Sequence, residues 1–377
     1  MTSDPAPLRV DIHCHMGQIA KPCQEHDRFS FEPAGKPLSL DAYLSPRMNN
    51  SIGMRAAKWF FGLPRGLPPR ETDAAMETTL LRHILNARLL DRAVVLAFDQ
   101  YHTTDGQAVG ARPNRSAIGT DLYLSNTYAR SLWQRYPRRI LFGASIHPYR
   151  RLGTMTAADM LAEVAAAGAV LVKWLPQTQN IDAQDPRTVA FLRQAAKLEI
   201  PLLVHFGPEY TLGHHHKQFA DPAGMLQTLR QLRDDGDMPT VIIAHVATPS
   251  MWPIALATRP HRILIEALAG EFASAPLYAD IAALAMFSKA RWLKRTLRIP
   301  GVRAKLVHGS DFPIPSTPLF FRSALGKEYH RVRQMPSWLD RDVAIKSAAG
   351  VGEDVFRRGG ELLASRIKAA DALASIV

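Results

Sequence analysis

The chain has only two cysteines in 377 residues, Cys14 and Cys23. That is too few for a disulfide framework, which excludes a small cross-linked secreted scaffold and makes a reduced, cytoplasmic setting the default. No run approaches the ~18 uninterrupted apolar residues that a membrane-spanning helix needs, so no stable membrane insertion is expected. The stretch from Met1 to Pro7 lacks a basic n-region and an apolar h-region, so no signal peptide is expected. No internal repeat or low-complexity tract appears. Acidic residues are missing from two long stretches. From Leu122 to Ala158 there is none, although Arg130, Arg135, Arg138, Arg139, Arg150 and Arg151 occur there. From Ile281 to Ser310 there is again none, beside Lys289, Arg291, Lys294, Arg295, Arg298, Arg303 and Lys305. These blocks carry much of the formal net charge of +12. A basic patch can attract acidic partners or nucleic acid. No aromatic-interleaved binding motif accompanies these residues, and most sit on segments that read as helices feeding into strands. A solvated basic outer wall without a nucleic-acid partner is therefore expected.

What is present is apolar and periodic. Hydrophobic residues make up 47% of the chain, enough for a large core. Short leucine-rich and β-branched runs at 8–13, 92–99, 140–146, 169–174, 201–206, 240–245, 277–282 and 305–310 read as buried parallel strands. The segment 262–268 competes for the seventh place, and 277–282 is preferred because it sits nearer the eighth run and follows Pro276. Helical spacing between most of these runs, as in 157–167 and 187–198, makes the pattern βαβα. Eight such units predict an α/β fold, a (β/α)8 TIM barrel forming one domain over residues 1–377, with C-terminal helices over 336–377. The first connection, 16–70, is unusually long and dense in proline and glycine. It leaves the C-terminal end of the first strand and is expected to lie over the mouth as a lid. Within it, 54–61 reads as a short amphipathic helix packed on the rim.

The runs end in polar residues. The first ends in His13-Cys14-His15, and side chains at i and i+2 share a face of a strand, so two imidazoles can grip one cation. Later runs end in Lys173, His205, His245 and, just past His308, Asp311. Strand C-termini converge on one mouth of a closed barrel. His308 has the opposite parity from Asp311 and is expected to face the helices. His147, Asp280, Glu209 and the run His214-His215-His216 are weaker candidates near the same mouth.

In its order of His-x-His, Lys, His, His and Asp, the chain resembles the amidohydrolase superfamily of metal-dependent (β/α)8 hydrolases. The stretch from Val172-Lys173-Trp174-Leu175-Pro176 to Asp185-Pro186, then Leu203-Val204-His205-Phe206-Gly207, is similar to the branch called amidohydrolase 2. So is the tail from Ile345-Lys346-Ser347-Ala348-Ala349-Gly350 to Asp354-Val355-Phe356. The resemblance spans roughly residues 8–360 and implies a divalent metal site with Asp311 and His245 as catalytic groups. His13, His15, His205 and Asp311 satisfy the ligand count of one ion with an open position, zinc first among the candidates. His245 would then contact substrate or bind a second ion. Lys173 decides between one ion and two. As a carbamate it would bridge a pair of ions, and as an ammonium it would bind a substrate carboxylate or a neighbouring acid. The expected activity is hydrolysis, by metal-activated water, of an ester, lactone or amide of a small molecule. The alternative is metal-dependent non-oxidative decarboxylation of an aromatic or unsaturated acid, for which Arg150 or Arg151 would stand near the mouth. A homo-oligomer is compatible with this sequence.

Overall fold

A computed structural model describes residues 6–23, 28–32, 40–51, 54–55, 58, 68–208, 212–213, 216–249 and 258–375. The eight expected strands are all present: β1 (Val10–His15), β2 (Arg92–Leu96), β3 (Ile140–Ala144), β4 (Ala169–Trp174), β5 (Leu202–Val204), β6 (Val241–Ile243), β7 (Leu277–Asp280) and β8 (Leu306–Val307). They form one parallel sheet in chain order. Backbone hydrogen bonds close the seam. Ile12 N donates to His308 O at 3.3 Å, Asp311 N to His13 O at 2.9 Å, and His15 N to Phe312 O at 2.6 Å. The strands are buried on both faces, as apolar runs without alternation require. The contested segment 262–268 is helical. The helix that contains it, Arg259–Ala269, buries His261, Leu264, Ala267 and Leu268 at three- and four-residue spacing, so the helical period wins over its β-branched content.

Helices alternate with the strands: α1 (Pro69–Leu85), α2 (Asn126–Arg135), α3 (Ala157–Ala166), α4 (Pro186–Lys197), α5 (Ala223–Asp234), α6 (Arg259–Ala269) and α7 (Ala290–Leu297). α8 (Trp338–Ala348), α9 (Glu353–Leu362) and α10 (Ala364–Ala374) follow β8. Local chemistry marks several starts. Ser125 Oγ accepts the Tyr128 N–H, Thr156 and Asp159 form a reciprocal capping box, and Asp185 caps α4 ahead of Pro186. Among the described residues, no helix is long and apolar enough to cross a membrane.

α9 covers the seam between β1 and β8. It can do so because Gly359 and Gly360 carry no side chain. A Cβ on Gly359 would lie 2.8 Å from Ile12 Cγ2, and one on Gly360 would run into the Leu8 carbonyl. α10 crosses the N-terminal end of the barrel. Arg366 Nε donates to Ala169 O at the start of β4 (3.2 Å), and Asp371 pairs with Arg92 at the start of β2 (2.6 Å). The opposite, C-terminal end carries the functional side chains.

The described residues of the 16–70 connection include strands and a short helix. Strand Leu40–Leu44 pairs antiparallel with Ala20–Pro22 and with Leu122–Leu124, which belongs to the connection after β2. A short helix, Pro46–Asn49, follows. Tyr43 stacks near Tyr123 at 5.3 Å and accepts a hydrogen bond from Gln100 at 3.0 Å, while Phe98 bridges to Leu124. This seats the segment at the C-terminal end of β2. Of the helix expected over 54–61, only Met54, Arg55 and Lys58 fall among the described residues, and they are helical. The basic blocks are not wholly an outer wall. Arg150, Lys289 and Lys305 are buried, because each finds a polar partner inside: Asp99, the Thr248 carbonyl and the Ala275 carbonyl respectively.

Candidate active site

β1 places Asp11, His13 and His15 on one face by its two-residue repeat, and Cys14 on the other. Asp311 and His245 stand just beyond β8 and β6, each with a left-handed backbone, at φ 64° and 55°. Val246 and Ala247 continue in that region at 51° and 49°. Non-glycine residues pay roughly 1–2 kcal/mol each for this conformation, so surrounding bonds must hold it. They do. His245 N donates to Asp280 Oδ1 at 2.7 Å and Thr248 Oγ1 donates to His245 O at 2.7 Å. The Val246 carbonyl meets His261 Nδ1 at 2.8 Å, and the Asp311 carbonyl accepts Ile314 N at 2.8 Å.

The result is a compact donor cluster. One ligand atom each from His13, His245 and Asp311 lie within 4.8 Å of one another. His15 Nε2 lies 3.0 Å from Asp311 Oδ1, and His13 Nε2 lies 3.5 Å from the same oxygen. Asp311 Oδ2 lies 3.9 Å from His245 Nε2. The rings of His13 and His15 meet edge to face at 4.9 Å, and Phe98 walls His15 at 4.8 Å. His205 packs against His245 at 5.1 Å, one ring outward from the closest trio. The sequence resemblance implies His205 in the primary ligand set and His245 beside it. In the structure His245 belongs to the tightest group. Lys173 Nζ is buried 3.1 Å from His13 Nε2.

Electrostatics suit the arrangement to a cation. Burial drives His13, His205 and His245 well below the ordinary imidazole range, helped by the nearby lysines. His15 is lowered mainly by burial too. Neutral imidazole is the ligating form. Burial alone would raise Asp311, but His15, His13 and Lys173 outweigh it and hold the carboxyl below its usual value. His245 Nδ1 lies 3.0 Å from the Ala282 carbonyl, which can only accept, so the Nε2 lone pair faces the cluster. Imidazole nitrogens plus one carboxylate are the donors of borderline divalent ions, so these residues fit such a group.

The remaining candidates separate. Asp280 is fully buried, with Oδ2 2.6 Å from His13 Nδ1. His147 uses both ring nitrogens structurally, accepting Tyr149 N at 3.1 Å and meeting Gln179 O at 2.8 Å, and it stacks on His102. His308 faces α9, its ring 5.1 Å from Phe356. His216 stacks on Tyr101 and meets its hydroxyl at 3.0 Å. Glu209, His214 and His215 lie outside the described residues. Arg150 grips Asp99 through two nitrogens and lies buried, while Arg151 is exposed. Two supports escaped the sequence reading. Asp11 accepts backbone N–H groups on both sides of the seam. Lys346, paired with Asp342 four residues earlier, donates to the Gly309 carbonyl at 2.7 Å. An Asp-to-Lys spacing of four on a helix was the available signal for that pair.

No family model matches the sequence, and no curated protein does either. Solved structures match in fold. An uncharacterized TIM-barrel protein from Bordetella bronchiseptica aligns over 95% of this chain and 100% of its own, at 13% identity and a TM-score of 0.50. A probable 2-pyrone-4,6-dicarboxylic acid hydrolase from Acinetobacter baumannii aligns over 94% of both chains, at 15% identity and a TM-score of 0.42. A 2,6-dihydroxybenzoate decarboxylase from Rhizobium aligns over 95% of this chain and 99% of its own, at 12% identity and a TM-score of 0.43. The likeness is one of fold: this chain is a TIM barrel.

Proposed function

We propose that this chain is a metal-dependent hydrolase of the amidohydrolase superfamily, acting on an ester, lactone or amide bond of a small molecule. The observation that carries the reading is the convergence of His13, His245 and Asp311 within 4.8 Å at the C-terminal mouth of the barrel, where such barrels keep their chemistry. His13, His15, His205 and Asp311 would hold the ion, for which we propose zinc; imidazole and carboxylate donors suit it together with other first-row divalent ions. When bound, it supplies Lewis acidity and lowers the pKa of water toward ~7.

The chain's own groups handle the proton. Asp311, held ionised by His15, His13 and Lys173, accepts it at a carboxylate oxygen. His245 Nε2, 3.9 Å from Asp311 Oδ2, receives it and delivers it to the leaving oxygen or nitrogen. Phe98 and the buried strand ends around His15 keep bulk water from the proton path. We read Lys173 as an ammonium, which gives one ion rather than two; its contact with His13 Nε2 would give way where that nitrogen holds the ion. Metal stoichiometry tests that choice.

The reaction class is tested on one metal-replete preparation. Lactones, aryl esters and acylated amines should be hydrolysed, with a rate rising with pH toward a plateau. His245→Ala should lower kcat more than it raises KM. Release of CO2 from hydroxybenzoate-like acids with solvent deuterium at the vacated carbon, and no hydrolysis, would replace this reading with the decarboxylase.

A further inference from the structure

We propose that Asp280 is the positioning residue that sets the tautomer and aim of two site histidines at once, His13 through its ring and His245 through its backbone. The inference rests on the metal-site reading above, but it concerns protons on this chain and can be read without turnover.

Asp280 ends β7 and is fully buried. A carboxylate only accepts, so the 2.6 Å contact between Asp280 Oδ2 and His13 Nδ1 requires the proton to sit on Nδ1. That leaves a lone pair on Nε2. A second observation agrees: Lys173 Nζ has only protons to offer, and it lies 3.1 Å from that same Nε2. Asp280 Oδ1 has different work. It accepts His245 N at 2.7 Å and Ala282 N at 3.0 Å. The Ala282 carbonyl in turn meets His245 Nδ1 at 3.0 Å. One carboxylate therefore anchors the His245 main chain in its left-handed conformation and, through Ala282, presents the acceptor that puts the His245 proton on Nδ1. Both Nε2 lone pairs then face Asp311. A histidine whose outer nitrogen is bound this way is a better-oriented and more basic ligand.

Asp280→Asn separates the two roles. The amide oxygen must stay toward the two backbone N–H groups, because an NH2 there would oppose two donors. Its NH2 then faces His13 Nδ1 and forces that proton onto Nε2, pointing into the cluster. His245 keeps its partners and its tautomer.

The test is nitrogen-15 NMR of histidine-labelled full-length protein after chelation, with His13 assigned by the loss of its signals in His13→Gln. It is paired with zinc affinity from chelator competition and with melting curves. Expected in the wild type are a protonated Nδ1 on His13 and His245. Expected in Asp280→Asn are a native-like melt, His13 switched to protonated Nε2, His245 unchanged, and zinc affinity lower by 10- to 100-fold. A wild-type His13 protonated at Nε2 would overturn the proposal even if the variant failed to fold. So would a folded variant with an unshifted His13 and wild-type zinc affinity. Failure of the hydrolase reading would show instead as absent turnover with the tautomer switch intact.

Discussion

Asp11 Oδ1 accepts the backbone N–H of Ser310 at 2.9 Å, across the barrel seam, and that of His13 at 3.1 Å on its own strand. One buried oxygen thus ties β1, which carries His13 and His15, to the segment that carries Asp311. The donors that arrive first and last in the sequence are thereby anchored to the same buried carboxylate.

The donor cluster predicts metal content. Protein purified without chelator should contain about one divalent ion per chain, and His13→Ala combined with His15→Ala should contain little. Elemental analysis of both preparations decides it. Equal metal in the two would remove β1 from the site.

Asp311→Asn should lower turnover by roughly 10²–10⁴-fold while the protein retains more metal than the double histidine variant. The amide still offers an oxygen but cannot take a proton. Steady-state rates beside metal analysis test this, and unchanged turnover would show that Asp311 is not the proton acceptor.

Gly359→Ala should destabilise the barrel by about 1–3 kcal/mol, because its methyl group meets Ile12 at the seam. Denaturant unfolding measures it. The rate per folded molecule should change little, since the methyl group lies on the far side of β1 from the donors.

Stability should fall on mild acidification partly through His83. Burial, with Arg82 and Arg341 nearby, pushes this histidine down to about 4 despite its contact with the Pro336 carbonyl. Its unfolded value is near 6.5. Between those values the unfolded chain binds the proton and the folded chain does not. The contribution is therefore complete above pH ~6.5 and is lost as pH falls toward 4. It amounts to at most about 2–3 kcal/mol after solvent screening. Melting curves of the wild type and His83→Gln between pH 7 and 4.5 should converge as the pH drops. Parallel curves would show that His83 is not the group responsible.

The strands were legible because each is an apolar run buried on both faces, and the donors were legible because they sit at the ends of those runs. His13, His15, Lys173, His205, His245 and Asp311 all follow that rule. Spacing could not rank them. Which ring stands nearest Asp311 depends on the left-handed turn at 245–247, and nothing in Ala244-His245-Val246-Ala247 announces positive φ. The partner of Arg150 is equally invisible in the sequence. With Arg151, Arg150 is a candidate, by position alone, for the arginine a decarboxylase would need, and its partner Asp99 lies on the neighbouring strand end, a pairing that only the register of β2 and β3 creates. Likewise, the 16–70 connection reads as a lid-like loop because its central strand, Leu40–Leu44, pairs with a segment about eighty residues further along the chain.

That pairing has an engineering corollary. Leu40–Leu44 is held between Ala20–Pro22 and Leu122–Leu124, so two connections that leave different strands of the barrel form one small sheet. In most barrels of this kind each connection can be exchanged as an independent cassette. Here a graft of either alone would leave an unpaired strand edge. The two must therefore be transplanted together for every strand of that sheet to keep its partner.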